Sequence, residues 1–264
     1  MGASPLPCTA AVTKRQRDPF DGLKVGITSY TLRKYTLDEA IAKTKQAGVK
    51  YFSIKEVHLP LKSTPEERKA AAKKIADAGL VLMGGGVISM KNDAAQIRNV
   101  FEYAKDLGMK TIVCSPDPDA LDEVEKRVKE YDLLIAIHNH GPTDKKYPSP
   151  MDVLRMVEKR DSRMGACIDV GHTVRIGEDP VEAIRKCAKR LYEFHMKDVT
   201  SATPSGKPTE VGRGVIDIPA VLRKLVNLKW PYHVALEYEV NTDDPMPGMV
   251  ESYAYMRGVL AAID

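Results

Sequence analysis

Four short segments hold the side chains with the most chemistry in this chain: IHNHG around His138 and His140, CIDVGHT around Asp169 and His172, EFHMKD around His195 and Lys197, and ALEYE around Glu237 and Glu239. In each, apolar residues alternate with polar ones, the two-residue period of a strand with one face packed. In LLIAIHNHG, Leu133, Ile135 and Ile137 share one parity, which leaves Ala136, His138 and His140 on the other. YEFHMKD reads with Tyr192, Phe194 and Met196 outward and Glu193, His195 and Lys197 inward. ACIDVGHT places Cys167 and Asp169 inward, and HVALEYE does the same for Ala235, Glu237 and Glu239. Buried charges without partners cost several kcal/mol each, so such groups pair with one another or coordinate a metal. His138, Asp169, His195 and Glu237 supply two imidazoles and two carboxylates, a set suited to Mn²⁺, Co²⁺, Fe²⁺ or Zn²⁺, less to Mg²⁺ and poorly to Ca²⁺.

Positioning these residues takes strands that all present one end to the same place. Eight strand-like runs are found: 24–30, 51–57, 80–88, 111–115, 133–140, 164–170, 191–197 and 233–239, with amphipathic stretches between them. Thr64-Pro65 with Glu67, Ser149-Pro150 and Asp179-Pro180 carry helix-start chemistry, and Gly48, Gly79 and Gly108 follow helices where a left-handed residue closes them. Alternation at this spacing predicts right-handed βαβ units and a parallel sheet, and eight units in about 240 residues predict a closed (β/α)8 TIM barrel, a single domain over residues 21–264. In that fold the carboxyl ends of the strands carry the active site. Gly84-Gly85-Gly86 lacks the spacing of a dinucleotide loop and reads as close backbone approach within the barrel.

The chain has 264 residues, 43% hydrophobic and 29% charged, enough to bury a sizeable core, and no run approaches the length needed to cross a bilayer. Net charge is +4, with part of the excess at Lys14, Arg15 and Arg17, too weak and too local for a nucleic-acid surface. Cys8, Cys114, Cys167 and Cys187 form no C-x-x-C pair and read as buried reduced thiols. Residues 1–20 read as a disordered lead-in without the apolar stretch of a secretory signal. A cytoplasmic protein is expected, or a periplasmic one if a native signal was removed.

CIDVGHT, EFHMKD and ALEYE, in that order at the ends of the sixth, seventh and eighth strands, resemble the xylose isomerase-like TIM barrels, a superfamily of sugar (phosphate) isomerases and epimerases, inosose dehydratases and endonuclease IV. The resemblance places a divalent metal on Asp169, His195 and Glu237, with a fourth ligand from strand five. It makes His172, in D-x-G-H, a contact to substrate oxygens, and lets Arg213, in EVGRGVID, reach the substrate. One departure matters: the ketose 3-epimerases have a glutamate at the end of strand five, and here that position is His138.

The resemblance implies a small sugar or sugar derivative as substrate, proton removal next to its carbonyl and an enediolate held on the metal. Glu237, inward and beside the metal, is the first candidate base; Lys197 is a candidate oxyanion partner or acid, or else an internal ion pair with Glu239 or Glu193. Glu239 and His140 are expected to orient substrate; the parity of strand two, IKEVHLP, is ambiguous, with Lys55 and Ser53 facing inward and His58 on the loop above preferred over Glu56 and His58 facing inward. Trp230 and His233 belong to the opposite end. An isomerase or epimerase is the first expectation. A lyase, dehydratase or hydratase on a keto-sugar of the 3-keto-glycoside or inosose type is the alternative, because elimination does not need two exchanging glutamates. Endonuclease IV-like chemistry is disfavoured by only six histidines in total. Dimers or tetramers are implied by the superfamily alone.

Overall fold

The computed structural model describes residues 18–263. Strands β1 (Lys24–Thr28), β2 (Tyr51–Ile54), β3 (Val81–Met90), β4 (Thr111–Pro116), β5 (Leu134–His138), β6 (Met164–Asp169) and β7 (Leu191–Met196) are joined by a short antiparallel pair, β8 (Asp198–Val199) and β9 (Pro208–Thr209), to the last strand, β10 (His233–Leu236). The long strands form a closed parallel barrel in the order β1-β10-β7-β6-β5-β4-β3-β2, the (β/α)8 barrel that the alternation predicts. Around it run α1 (Leu37–Gln46), α2 (Pro65–Asp77), α3 (Ala94–Leu107), α4 (Leu121–Tyr131), α5 (Pro150–Val157), α6 (Val170–Arg175), α7 (Pro180–Cys187), α8 (Ile218–Asn227) and α9 (Met246–Ala261).

Local chemistry starts these helices where the sequence says it should. Thr64 caps α2 by accepting from Glu67 N–H while the Glu67 side chain returns to the Thr64 N–H, and Ser149 and Asp179 cap α5 and α7 ahead of a proline. The glycine run is explained by proximity: a Cβ on Gly86 would lie 1.9 Å from the Val113 carbonyl oxygen, and one on Gly84 2.5 Å from that of Thr111. Apolar side chains of outward parity, such as Ile135, Ile168, Phe194 and Val234, bury against the helices.

The outward assignment of Tyr192 is corrected. The register between β6 and β7 shifts between Ala166 and Cys167, so Leu191 pairs with Ala166 and Glu193 with Cys167. The extra residue turns Tyr192 inward, where it packs with Val113, Ala136 and Cys167 and its ring fills the space a side chain at Gly165 would take. Cys114, Cys167 and Cys187 are free and buried, as read; Cys8 lies outside the described residues. So does most of the 1–20 lead-in. Its end does not: Phe20 is buried edge-on against Tyr253. Among the described residues no helix is long and apolar enough to cross a membrane.

Candidate metal centre and cavity

The carboxyl ends of β5, β6, β7 and β10 deliver His138, Asp169, His195 and Glu237 to one buried point. Parallel register sets Asp169 beside His195 and His195 beside Ala235, and the ladder continues past β10 through Glu237 N–H donating to the Met196 carbonyl. His138 Nε2 lies 3.0 Å from His195 Nδ1 and 3.6 Å from Asp169 Oδ2, and His195 Nδ1 lies 3.4 Å from Glu237 Oε2.

These four residues fit a divalent ion. One ligand atom from each can be chosen so that all lie within 4.8 Å of one another. Atoms bound about 2.0–2.2 Å from a common metal stand about 3.0–3.6 Å apart on tetrahedral or octahedral edges, the range of the spacings above. Asp169 Oδ1 caps α6 by accepting from His172 N–H at 2.8 Å, which leaves Oδ2 facing the cluster. Cys167 also lies beside His138 and His195, but burial pushes its thiol well above the ordinary range, which disfavours the thiolate a metal needs.

Lys197 completes the cluster. Its Nζ lies 3.0 Å from Asp169 Oδ2, 2.9 Å from Glu237 Oε2 and 3.4 Å from Glu239 Oε1. Burial alone would lower this ammonium and raise the two carboxyls. Their mutual attraction outweighs it, so Lys197 is held well above its usual value and Asp169 and Glu237 well below theirs. For His195, burial is likewise overcome by Glu237, and the imidazole is raised. His138 goes the other way, pushed down to about 3 chiefly by burial, and presents a neutral ring. Glu239 is raised by burial, and burial lowers His140 and His172.

Above the cluster opens a cavity of about 620 Å³, lined by His138 and Glu237 from the cluster and by His140, His172, Glu239 and Lys55 among the expected substrate contacts. His140 is held 3.2 Å from Asp144, and Lys55 Nζ donates to the Val87 carbonyl at 2.6 Å. Tyr30, Ser89, Ser115 and Lys146 join the lining. Three expectations meet a different environment. His58 is turned away: its ring nitrogens meet Ser29 Oγ at 2.9 Å and the Leu32 carbonyl at 3.1 Å, and it does not line the cavity. Arg213 is exposed and forks onto Glu251, with Nη2 2.7 Å from Oε2. Lys197, 5% exposed, lies behind the carboxylates rather than on the cavity wall.

Two positioning residues escaped sequence reasoning. Asn139, fully buried between the two histidines, accepts from Asp169 N–H at 2.9 Å and donates to Thr173 Oγ1, tying β5 to the β6–α6 corner. A polar residue at an outward strand position was the available signal. Asp198, also fully buried, accepts backbone N–H groups from Val199, Gly212, Gly214 and Ile216 at 2.8–3.2 Å. This anchor holds the EVGRGVID loop, and with Arg213 taken by Glu251 it explains why that arginine points away.

Several known proteins are similar to this chain. The sequence is 28% identical over 229 residues to an inosose dehydratase of Geobacillus thermodenitrificans, covering 78% of this chain and 73% of that protein. It is 27% identical over 151 residues to the rhizopine catabolism protein MocC of Rhizobium meliloti, covering 52% of this chain and 45% of that one. The chain thus spans less than half of the latter's length. The fold matches the 3-keto-D-glucoside 4-epimerase of E. coli with a TM-score of 0.72 at 18% identity, over 89% of this chain and 99% of that one. The profile of the xylose isomerase-like TIM barrels matches residues 41–259, and the chain belongs to that family.

Proposed function

We propose that the chain is a divalent-metal-dependent carbon–oxygen lyase, a dehydratase acting on a keto-sugar or inosose-type ring. The observation that carries this reading is the asymmetry of the cavity floor. Its two glutamates, Glu237 and Glu239, both follow β10, and the facing wall presents His138, His140 and His172, with Asp144 held against His140, where a second glutamate would be needed for symmetric proton exchange. The similarity to inosose dehydratases supports the same side of the choice.

His138, Asp169, His195 and Glu237 would hold the ion, and the mixed nitrogen and oxygen set favours Mn²⁺, Co²⁺, Fe²⁺ or Zn²⁺. When bound, it supplies Lewis acidity that polarises the substrate carbonyl. Glu237, whose carboxyl is held well below its usual value, takes the proton from the carbon next to the carbonyl. The electron pair becomes a carbon–carbon double bond as the hydroxyl on the next carbon departs. Glu239, which lines the cavity and is paired with the Lys197 ammonium at 3.4 Å, passes a proton from that pair to the hydroxyl so that it leaves as water. His140, steadied by Asp144, and His172, whose Nδ1 has no hydrogen-bond partner among the described residues, hold ring hydroxyls. Lys55 closes the far side.

Incubation of the Mn²⁺-loaded protein with an inosose and with a 3-keto-glucoside tests this. The expected result is new ultraviolet absorbance of an α,β-unsaturated ketone with loss of one water from the mass. Unchanged mass with solvent deuterium incorporated into the sugar overturns the reading in favour of an epimerase or isomerase.

A further inference from the structure

Lys197 occupies an unusual place for an ammonium group: it faces two of the oxygens that a metal would use. We infer that Lys197 is the resident counter-cation of the metal-free site, that it yields Asp169 and Glu237 when a divalent ion binds and stays with Glu239, and that it thereby sets the affinity for the ion. The inference rests on the reading that the four strand-end residues hold that ion.

Three observations carry it. Nζ is 3.0 Å from Asp169 Oδ2 and 2.9 Å from Glu237 Oε2, so ion and ammonium compete for the same two atoms. The third oxygen within reach, Glu239 Oε1 at 3.4 Å, belongs to a residue outside the ligand set and remains available. The chain also makes room for the side chain: a Cβ on Gly171 would lie 2.7 Å from both Cγ and Cδ of Lys197, so the glycine of D-x-G-H gives the lysine its passage. Two buried carboxylates without a counter-charge are costly. With Lys197 between them the barrel folds complete before any metal arrives, and the ion must then displace a like charge.

Mn²⁺ titration of the metal-free protein, followed by calorimetry and by the electron paramagnetic resonance of the free ion, tests this without an activity assay. Lys197→Met is expected to tighten Mn²⁺ binding by about tenfold or more. Glu239→Gln, which removes the lysine's remaining partner, is expected to weaken binding, and this effect should vanish in the Lys197→Met background. Lys197→Met is also expected to melt early without metal and to regain wild-type melting when Mn²⁺ is added, so a poorly folded variant still reports. Unchanged or weaker Mn²⁺ binding in Lys197→Met, or no recovery of its melting with Mn²⁺, overturns the inference while wild-type binding leaves the metal site standing. Absence of Mn²⁺ binding by the wild-type protein overturns both.

Discussion

The two ends of the barrel use the same residue types on the same two strands to opposite effect. At the amino end, Glu193 of β7 and His233 of β10 meet at 2.8 Å and close on each other. At the carboxyl end, His195 of β7 faces Glu237 beyond β10 at 3.4 Å, but neither belongs to the other alone. His138 crowds His195, and Lys197 shares the carboxylate. Both ends are buried, so burial of charge does not distinguish a structural pair from a functional centre. Convergence does: the lower pair closes between two partners, whereas the upper group brings four ligand atoms to one point.

The largest expected effect separates the two ends outright. Asp169→Asn should weaken Mn²⁺ binding by more than about a hundredfold, as loss of a charged ligand requires. Its melting temperature should stay within a few degrees of wild type, because asparagine can still cap α6. Collapse of the fold in this variant would mean that the upper cluster is structural like the lower one. Glu193→Ala should do the reverse: it strands His233 in the interior and costs about 3–5 kcal/mol in a urea titration. Mn²⁺ affinity should stay within about twofold, and a large loss would show that the two ends are coupled.

Acid should also find the upper end first. Burial lowers His58, His140 and His172, and His138 is pushed down to about 3, so below their unfolded value of about 6.5 the unfolded chain binds more protons than the folded one. Their stabilising contribution is full above that pH and is lost as pH falls toward the folded values. His195, raised by Glu237, runs the other way, contributing below its unfolded value and losing this as pH rises through its folded one. The metal-free protein should therefore melt several degrees lower at pH 5 than at pH 7, with hydrogen exchange rising first at the β5 and β6 ends. A uniform rise would contradict the localisation. The smallest effect is expected for Arg213→Ala, an exposed ion pair on a loop already fixed by Asp198. Urea titration should show a change within about 0.5 kcal/mol, with turnover unchanged.

The barrel was legible because alternation of strand and helix is written in every unit, and the meeting of four strand-end residues because strand parity sends one class of residue inward. Parity failed where register breaks. The shift opposite Ala166 turned Tyr192 over, and no feature of LYEFHMKD announces an extra residue. Strand two was ambiguous for a related reason: β2 ends at Ile54 after its own register shift, so Lys55 and His58 are placed by the turn that follows. Arg213 was misplaced because its loop is set by Asp198, whose acceptors serve N–H groups up to 18 residues away. Gly171 carries no signal of its role in the sequence, and only the path of Lys197 shows its purpose.

If four strand ends form one divalent-metal site, anomalous diffraction at the manganese edge from crystals of the Mn²⁺-loaded protein will show a single peak within bonding distance of His138, Asp169, His195 and Glu237, removed by a chelator. A peak elsewhere, or none at the cluster in protein that carries stoichiometric manganese, would contradict that site.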